Sequence, residues 1–388
     1  MSTLPAKLSV MMASDIYLVN NDNLDLNINR RLKAVLKTYK PYFDLGIENK
    51  LQGKSGGLIL NKTTSFGIVS QGKGAYSDDV FIILRGTASG YDVLTDLNAG
   101  FSRSNNGHIV HLGFNKTFKT IQPQLEQFFA QQPTTVNTVH CIGHSLGGAL
   151  ATLAAEWAVQ TNSGSQINLY TFGCPRVGML PYVSYFENQP SVGIYRAYHN
   201  TDPVPMVPVW PFMHLLEEDS FYLPGRGHYI NPEYHKITQY LNTIGSSDWE
   251  ALGSLYKETI EDTVIEQWLA SDSFASLNAN TIKLFSRAIG YVIRKVLKAT
   301  GVTLQTAFGT ATTILDQLAY ILHRGMTAPE AVSGWVVRLI TKMARSLGIT
   351  IRKGANLTLR LIRYVLQSMS NHIRSLVQKA VNFITQTT

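Results

Sequence analysis

Apolar and polar positions follow two different rhythms along this chain. As far as about residue 245, short β-branched runs bounded by Gly, Lys and Asp alternate with longer stretches of helical spacing. Residues 65–70 and 80–84 read as strands, and residues 115–131 as a helix. Residues 136–142 read as a buried strand, 146–160 as a helix rich in Ala and Leu, and 167–172 and 192–198 as further strands. Such alternation predicts an α/β fold with a mostly parallel central sheet covered by helices.

At Gly245-Ser246-Ser247 the β rhythm stops, and nearly everything beyond it has helical spacing. The chain therefore reads as an α/β unit over residues 1–245 followed by an all-α region over residues 246–388. In residues 282–298, Ile282, Phe285, Ile289, Val292, Ile293 and Val296 form one helical stripe, with Lys283, Arg287, Arg294 and Lys298 on the opposite arc. A second amphipathic helix over residues 357–384 collects Ile362, Val365, Leu366, Met369, Ile373, Leu376, Val377 and Ala380, and residues 332–347 predict a third. Residues 301–322 are long enough to raise a membrane span, but Asp316 in their midst, with Gln and Thr around it, argues against one.

Charge sharpens this division. Residues 281–388 hold 15 basic and 2 acidic residues, a net +13, whereas residues 1–280 hold 19 and 24, a net −5. The formal +8 of the whole chain thus belongs to the tail, which favours an anionic partner. A phospholipid surface met through the basic helices and a protein partner for the tail both fit. Nucleic acid fits poorly, because the tail lacks the aromatic interleaving and Gly-rich loops of nucleic-acid readers. The two cysteines, Cys141 and Cys174, exclude a disulfide framework and read as buried thiols, although their places at strand ends leave a bond between them open. An apolar run over residues 8–19 is broken by Asp15 and followed by no small-residue cleavage site, so no secretory signal is read. Synthesis in the cytoplasm is expected, with export by a signal-independent route left open.

Chemistry enters at Gly143-His144-Ser145-Leu146-Gly147, set between a predicted strand and a predicted helix. Gly-x-Ser-x-Gly in that context is a nucleophile elbow, with Ser145 held in a strained backbone conformation that lifts its hydroxyl clear of the sheet. Gly143 and Gly147 stand where a Cβ would collide with the neighbouring strand or helix. A serine nucleophile needs a histidine base oriented by a carboxylate, in the chain order Ser, acid, His. Asp202, opening Asp-Pro-Val-Pro after a predicted strand, is the acid candidate. His214, His228 and His235 follow it within the first unit, and any of them is open as the base. His144 adjoins the nucleophile with its side chain expected to point away, and His199 precedes the acid and reads as structural.

Residues 139–150 (VHCIGHSLGGAL) resemble the elbow of the class 3 lipases, the family of fungal triacylglycerol lipases and plant phospholipases A1. Residues 81–87 (FIILRGT), 110–114 (VHLGF), 171–178 (TFGCPRVG) and 195–208 (YRAYHNTDPVPMVP) match further landmarks of that family in order. The resemblance covers roughly residues 55–245 and says nothing of the tail. It implies an α/β-hydrolase fold and a lipase or phospholipase, of A type, that works through an acyl-enzyme without metal or organic cofactor. It implies Asp202 as the acid, His235 as the base because Tyr240 and Leu241 follow it, and Thr87 with Leu146 as oxyanion donors. It also places a lid over residues 88–94, where Tyr91, Val93 and Leu94 would cover the pocket and Gly90 would hinge it. Two other readings stay open: a delivered effector or toxin whose helical tail binds a protein, and an esterase acting on small soluble esters.

Overall fold

A computed structural model of the chain describes residues 3–18, 37–43, 50–55, 62–86, 100–132, 136–162, 164–208, 211–215, 221–223, 230–254, 262–272, 276–301, 313–352 and 354–385. Its strands are β1 (Lys50–Ser55), β2 (Lys62–Gln71), β3 (Asp79–Leu84), β4 (Phe101–Arg103), β5 (Ile109–His111), β6 (Thr138–His144), β7 (Gln166–Phe172), β8 (Gly178–Met179), β9 (Val192–His199), β10 (Phe212–Met213) and β11 (Phe221–Leu223). A seven-stranded sheet has the order β1-β2-β3-β6-β7-β9-β11, and a small second sheet the order β10-β8-β5-β4. From β3 to β11 every pairing in the large sheet is parallel, while β1 and β2 close one edge antiparallel. Both faces are covered, so the central strands are apolar throughout rather than alternating. Val80, Ile82 and Leu84 enter one core, and Phe81 and Ile83 enter the other.

The helices that cover the faces are α1 (Ala6–Asp15), α2 (Leu112–Ala130), α3 (Leu146–Thr161), α4 (Leu180–Glu187), α5 (Ile237–Ile244), α6 (Trp249–Ser254), α7 (Asp262–Ala270), α8 (Ala279–Thr300), α9 (Ile314–Gly325), α10 (Glu330–Ser346) and α11 (Leu359–Thr385). One core takes α1, α5 and α6. Here the N-terminus is pinned down: the Leu4 N–H donates to the Tyr170 hydroxyl (2.8 Å), and Trp249 Nε1 donates to the Leu4 carbonyl (2.9 Å). The other core takes α2, α3 and α4 and continues without a break into the C-terminal helices.

The stripes expected of the tail helices are the faces that bury. Ile282, Phe285, Ile289, Val292, Ile293 and Val296 of α8 are buried, as are Ile362, Val365, Leu366, Met369, Ile373 and Val377 of α11. Their apolar surface is spent on packing within the protein, while Arg294 and Lys298 on the charged arc of α8 face outward. Asp316 has a local purpose: its carboxylate accepts the Thr313 N–H (3.3 Å) while the Thr313 hydroxyl oxygen accepts the Asp316 N–H (3.2 Å), a capping box that starts α9, and it pairs with Arg363 Nε at 2.8 Å. Among the described residues no helix is long and apolar enough to cross a membrane. Cys141 and Cys174 are buried free thiols, and burial pushes Cys174 up to about 12.

Candidate active site

β6 delivers the nucleophile. It ends at His144, and α3 begins at Leu146, leaving Ser145 to make the turn with φ 59° and ψ −129°. Ser145 is the one non-glycine residue with positive φ among the described residues. Such a conformation costs about 1–3 kcal/mol and persists because its surroundings enforce it. A Cβ on Gly143 would lie 2.1 Å from the Gly147 carbonyl oxygen, and one on Gly147 would lie 2.3 Å from that of Leu84. The Ser145 N–H donates to the Phe172 carbonyl of β7 (3.0 Å), tying the turn to the sheet.

The Ser145 hydroxyl does not cap α3 but reaches His235 Nε2 at 2.8 Å. His235 closes a 3-10 turn (Pro232–His235), started by the Asn231 side chain accepting the Glu233 N–H at 3.0 Å. On its other side Nδ1 meets Asp202 Oδ2 at 2.8 Å. A carboxylate can only accept, so Nδ1 carries the proton and Nε2 is left to accept from Ser145. Asp202 is held from three directions, its Oδ1 accepting the Val204 N–H (2.9 Å) and its Oδ2 also accepting the Tyr240 hydroxyl (2.7 Å). Ser145, Asp202 and His235 are all fully buried.

The structure therefore brings together three of the residues singled out in the sequence, with Leu146 beside them as the first residue of α3. Its N–H, at that position, has no intrahelical acceptor. Thr87, the 88–94 segment and His228 lie outside the described residues. His214 is not joined to Ser145: its Nε2 donates to the Pro205 carbonyl at 2.6 Å. His199 meets Thr243 Oγ1 at 3.4 Å and packs on the Tyr240 ring. His144 turns its ring away from the nucleophile and bonds to the Tyr17 hydroxyl and the His235 carbonyl, each at 2.8 Å. Sequence reasoning misses Tyr17 and the hydroxyl role of Tyr240. A tyrosine five residues past the base registers only as an aromatic landmark, and nothing marks Tyr17 within the apolar run 8–19.

Burial holds His144 and His214 neutral, well below the usual histidine value, aided by His235 beside the first and by Arg196, Arg176 and Lys283 around the second. In the unfolded chain both take up a proton near pH 6.5. In the folded protein they do so only at much lower pH, so acid favours the unfolded state. Stability is expected to fall below about pH 6.5 by about 1.4 kcal/mol per pH unit for each histidine. Thermal melts from pH 7.5 to 5 check this, with His214→Gln giving a shallower slope; a melting temperature flat across that range would contradict it.

A model of the Lipase (class 3) family matches residues 81–212, from β3 through the elbow and the Asp202 loop to the start of β10. Over these residues the chain is similar to the class 3 lipase family. His235, bonded to Ser145, lies beyond the C-terminal end of the match, and Tyr17, bonded to His144, lies before its start. Secreted mono- and diacylglycerol lipase 1 of Fusarium solani is 30% identical over 151 residues, which is 38% of this chain and 44% of that one. Secreted mono- and diacylglycerol lipase A of Penicillium cyclopium is 29% identical over 37% of this chain and 42% of that one. Toxin TseL of Vibrio cholerae is 32% identical over 30% of this chain and 18% of its own. The chain spans less than half the length of each of these curated relatives. Among solved structures, a mono- and diacylglycerol lipase from Aspergillus oryzae aligns over 64% of this chain and 97% of its own, at 18% identity and a TM-score of 0.43.

Proposed function

We propose that this protein is a serine hydrolase that cleaves carboxylic esters of lipids through an acyl-enzyme. The hydrogen-bond chain from Ser145 Oγ through His235 to Asp202, at the N-terminus of α3, carries the reading. Ser145 Oγ attacks the ester carbonyl carbon as His235 Nε2 takes its proton, and Asp202 fixes the tautomer and stabilises the imidazolium. The oxyanion is met by the Leu146 N–H at the positive end of α3 and, on the sequence resemblance, by Thr87. Collapse of the tetrahedral intermediate expels the alcohol, which takes the proton from His235. Water, deprotonated by the same imidazole, then frees the carboxylic acid and restores Ser145.

A lipid substrate is supported by the relatives from Fusarium and Penicillium, named as mono- and diacylglycerol lipases. The tail adds a preference for an anionic surface. In this reading the α/β unit of residues 1–245 is presented to that surface by residues 246–388. Helix α11 lies against the turn that holds His235 and against Val204–Met206 beyond Asp202, and Arg360, Arg363, Arg374 and Lys379 on it are exposed, as are Arg294 and Lys298 of α8. With the apolar stripes engaged in the core, contact is through these cations; Arg363 and Arg294 are engaged with Asp316 and Asp262, and each of the other four contributes about 1 kcal/mol near an anionic surface. A second reading is a delivered toxin whose helices grip a protein partner; the likeness to a protein named Toxin TseL favours the toxin part of it.

Fatty-acid release from phospholipid vesicles and from di- and triacylglycerol emulsions, with Ser145→Ala as the blank, tests the proposal. Release is expected from dispersed lipid, faster from anionic than from zwitterionic vesicles and falling with added salt. Hydrolysis confined to short soluble esters would overturn the lipid assignment in favour of an esterase. Equal rates on both vesicle types would remove the surface role of the tail.

A further inference from the structure

Two segments of the site meet at one side chain from outside the region that matches the lipase family, and a third is reached through one of them. Tyr17 follows α1 in a single 3-10 turn, Ile16–Leu18, and is 6% exposed. Its hydroxyl oxygen accepts the Gly86 N–H at 3.1 Å, and its proton goes to His144 Nδ1 at 2.8 Å. His144, so engaged, carries its own proton on Nε2 and donates it to the His235 carbonyl at 2.8 Å. The donors and acceptors close without conflict only when His144 is neutral, in agreement with the burial that keeps it so.

Each end of this chain is a place where position matters. Gly86 immediately precedes Thr87 and ends the segment that passes the nucleophile: a Cβ on Gly86 would lie 2.7 Å from the Tyr17 hydroxyl and 3.1 Å from Ser145 Cβ. His144 immediately precedes Ser145. The His235 carbonyl anchors the backbone of the base itself, and the rings of His144 and His235 lie 4.7 Å apart between centroids. A charged His144 at that distance would oppose the imidazolium formed on His235 during turnover, so the hydroxyl that donates to Nδ1 also protects the charge state the reaction needs.

We propose that Tyr17 is a positioning residue, whose hydroxyl sets the oxyanion strand end, the nucleophile elbow and the base in register through Gly86 and His144. The N-terminal segment is thereby part of the active site. This inference rests on the hydrolase reading above.

The test compares two variants of the full chain. Tyr17→Phe removes the hydroxyl and leaves the ring. Tyr39→Phe removes a different hydroxyl, which donates to Asp15 Oδ2 at 2.8 Å, and so loosens the same N-terminal segment without touching the site. Loss of register by a fraction of an ångström is expected to lower kcat about 10- to 100-fold in Tyr17→Phe, with KM within about twofold. The rate at which a fluorophosphonate labels Ser145 should fall in parallel. Tyr39→Phe should keep both rates, whatever it does to the melting temperature. Wild-type kcat and labelling in Tyr17→Phe, or losses in the two variants that simply follow their melting temperatures, would overturn the proposal. Wild-type protein that resists the fluorophosphonate would instead overturn the hydrolase reading, and this inference with it.

Discussion

Alanine at Ser145 is expected to bring ester hydrolysis down to the blank, a fall of about 10⁶ in kcat, while the melting temperature stays close to that of the wild type. In the proposed mechanism the hydroxyl is the attacking group, and its bond to His235 Nε2 serves the reaction more than the fold. His235→Ala should match it, because among the described residues His235 is the imidazole bonded to Ser145 that can take and return the proton. Asp202→Asn should cost about 10⁴, through the wrong tautomer rather than through a lost charge. Tyr240 and the Val204 N–H would still hold an amide in place there. Ser145→Gly separates chemistry from strain. It should be as inactive as Ser145→Ala yet more stable than it by about 1 kcal/mol, since glycine accepts φ 59° without a steric penalty. His214→Ala leaves the bond between His235 and Ser145 intact and should retain most of the rate. Kinetics on a chromogenic ester and thermal melts of these five variants and of His228→Ala decide it: full activity in His235→Ala together with loss in His214→Ala or His228→Ala would show that the base is misassigned.

The parts of the site legible in the sequence are those where one residue type is enforced by sterics or by a rigid local frame. Gly143, Ser145 and Gly147 announce themselves because only glycine fits against the backbone of Leu84 and of the elbow itself. Asp202 stands out because Pro203 and Pro205 fix the loop that presents it. The tail helices are legible for a similar reason, since a stripe such as Ile282, Phe285, Ile289, Val292 and Val296 repeats a packing requirement along the whole helix. Tyr17 and Tyr240 carry no such signature. Each acts through one hydroxyl oxygen whose partners lie 38 to 127 positions away in the chain. An aromatic in an apolar run reads as core, and both tyrosines are core as well. The second sheet escapes notice because strands of two or three residues, such as β8 and β10, are too short to show a period of two. Choosing His235 over His214 and His228 needs the family resemblance, because spacing alone leaves the base open.

Gly147→Ala should be among the most damaging single methyl groups that can be added near the site. The new Cβ would sit 2.3 Å from the Leu84 carbonyl oxygen and 2.6 Å from the Arg85 carbonyl carbon, both main-chain atoms at the end of a central strand. A side-chain neighbour could rotate aside, but β3 is paired with β2 on one side and β6 on the other and cannot move without breaking both ladders. The helix cannot retreat either, because Ala149, Leu150 and Leu153 of α3 are packed at zero exposure. Strain of this kind is expected to cost about 3 kcal/mol or more and to displace the Leu146 N–H from the oxyanion position, so that activity falls further than stability does. Gly334→Ala supplies the contrast. It lies within α10, nothing stands within 4 Å of the place its new methyl group would take, and removing glycine from a helix should stabilise by about 0.5–1 kcal/mol. Denaturant unfolding of the two variants reads both signs at once. A Gly147→Ala protein as stable as the wild type would mean that β3 and α3 are not in the close contact on which the elbow, and the aim of Ser145, depend.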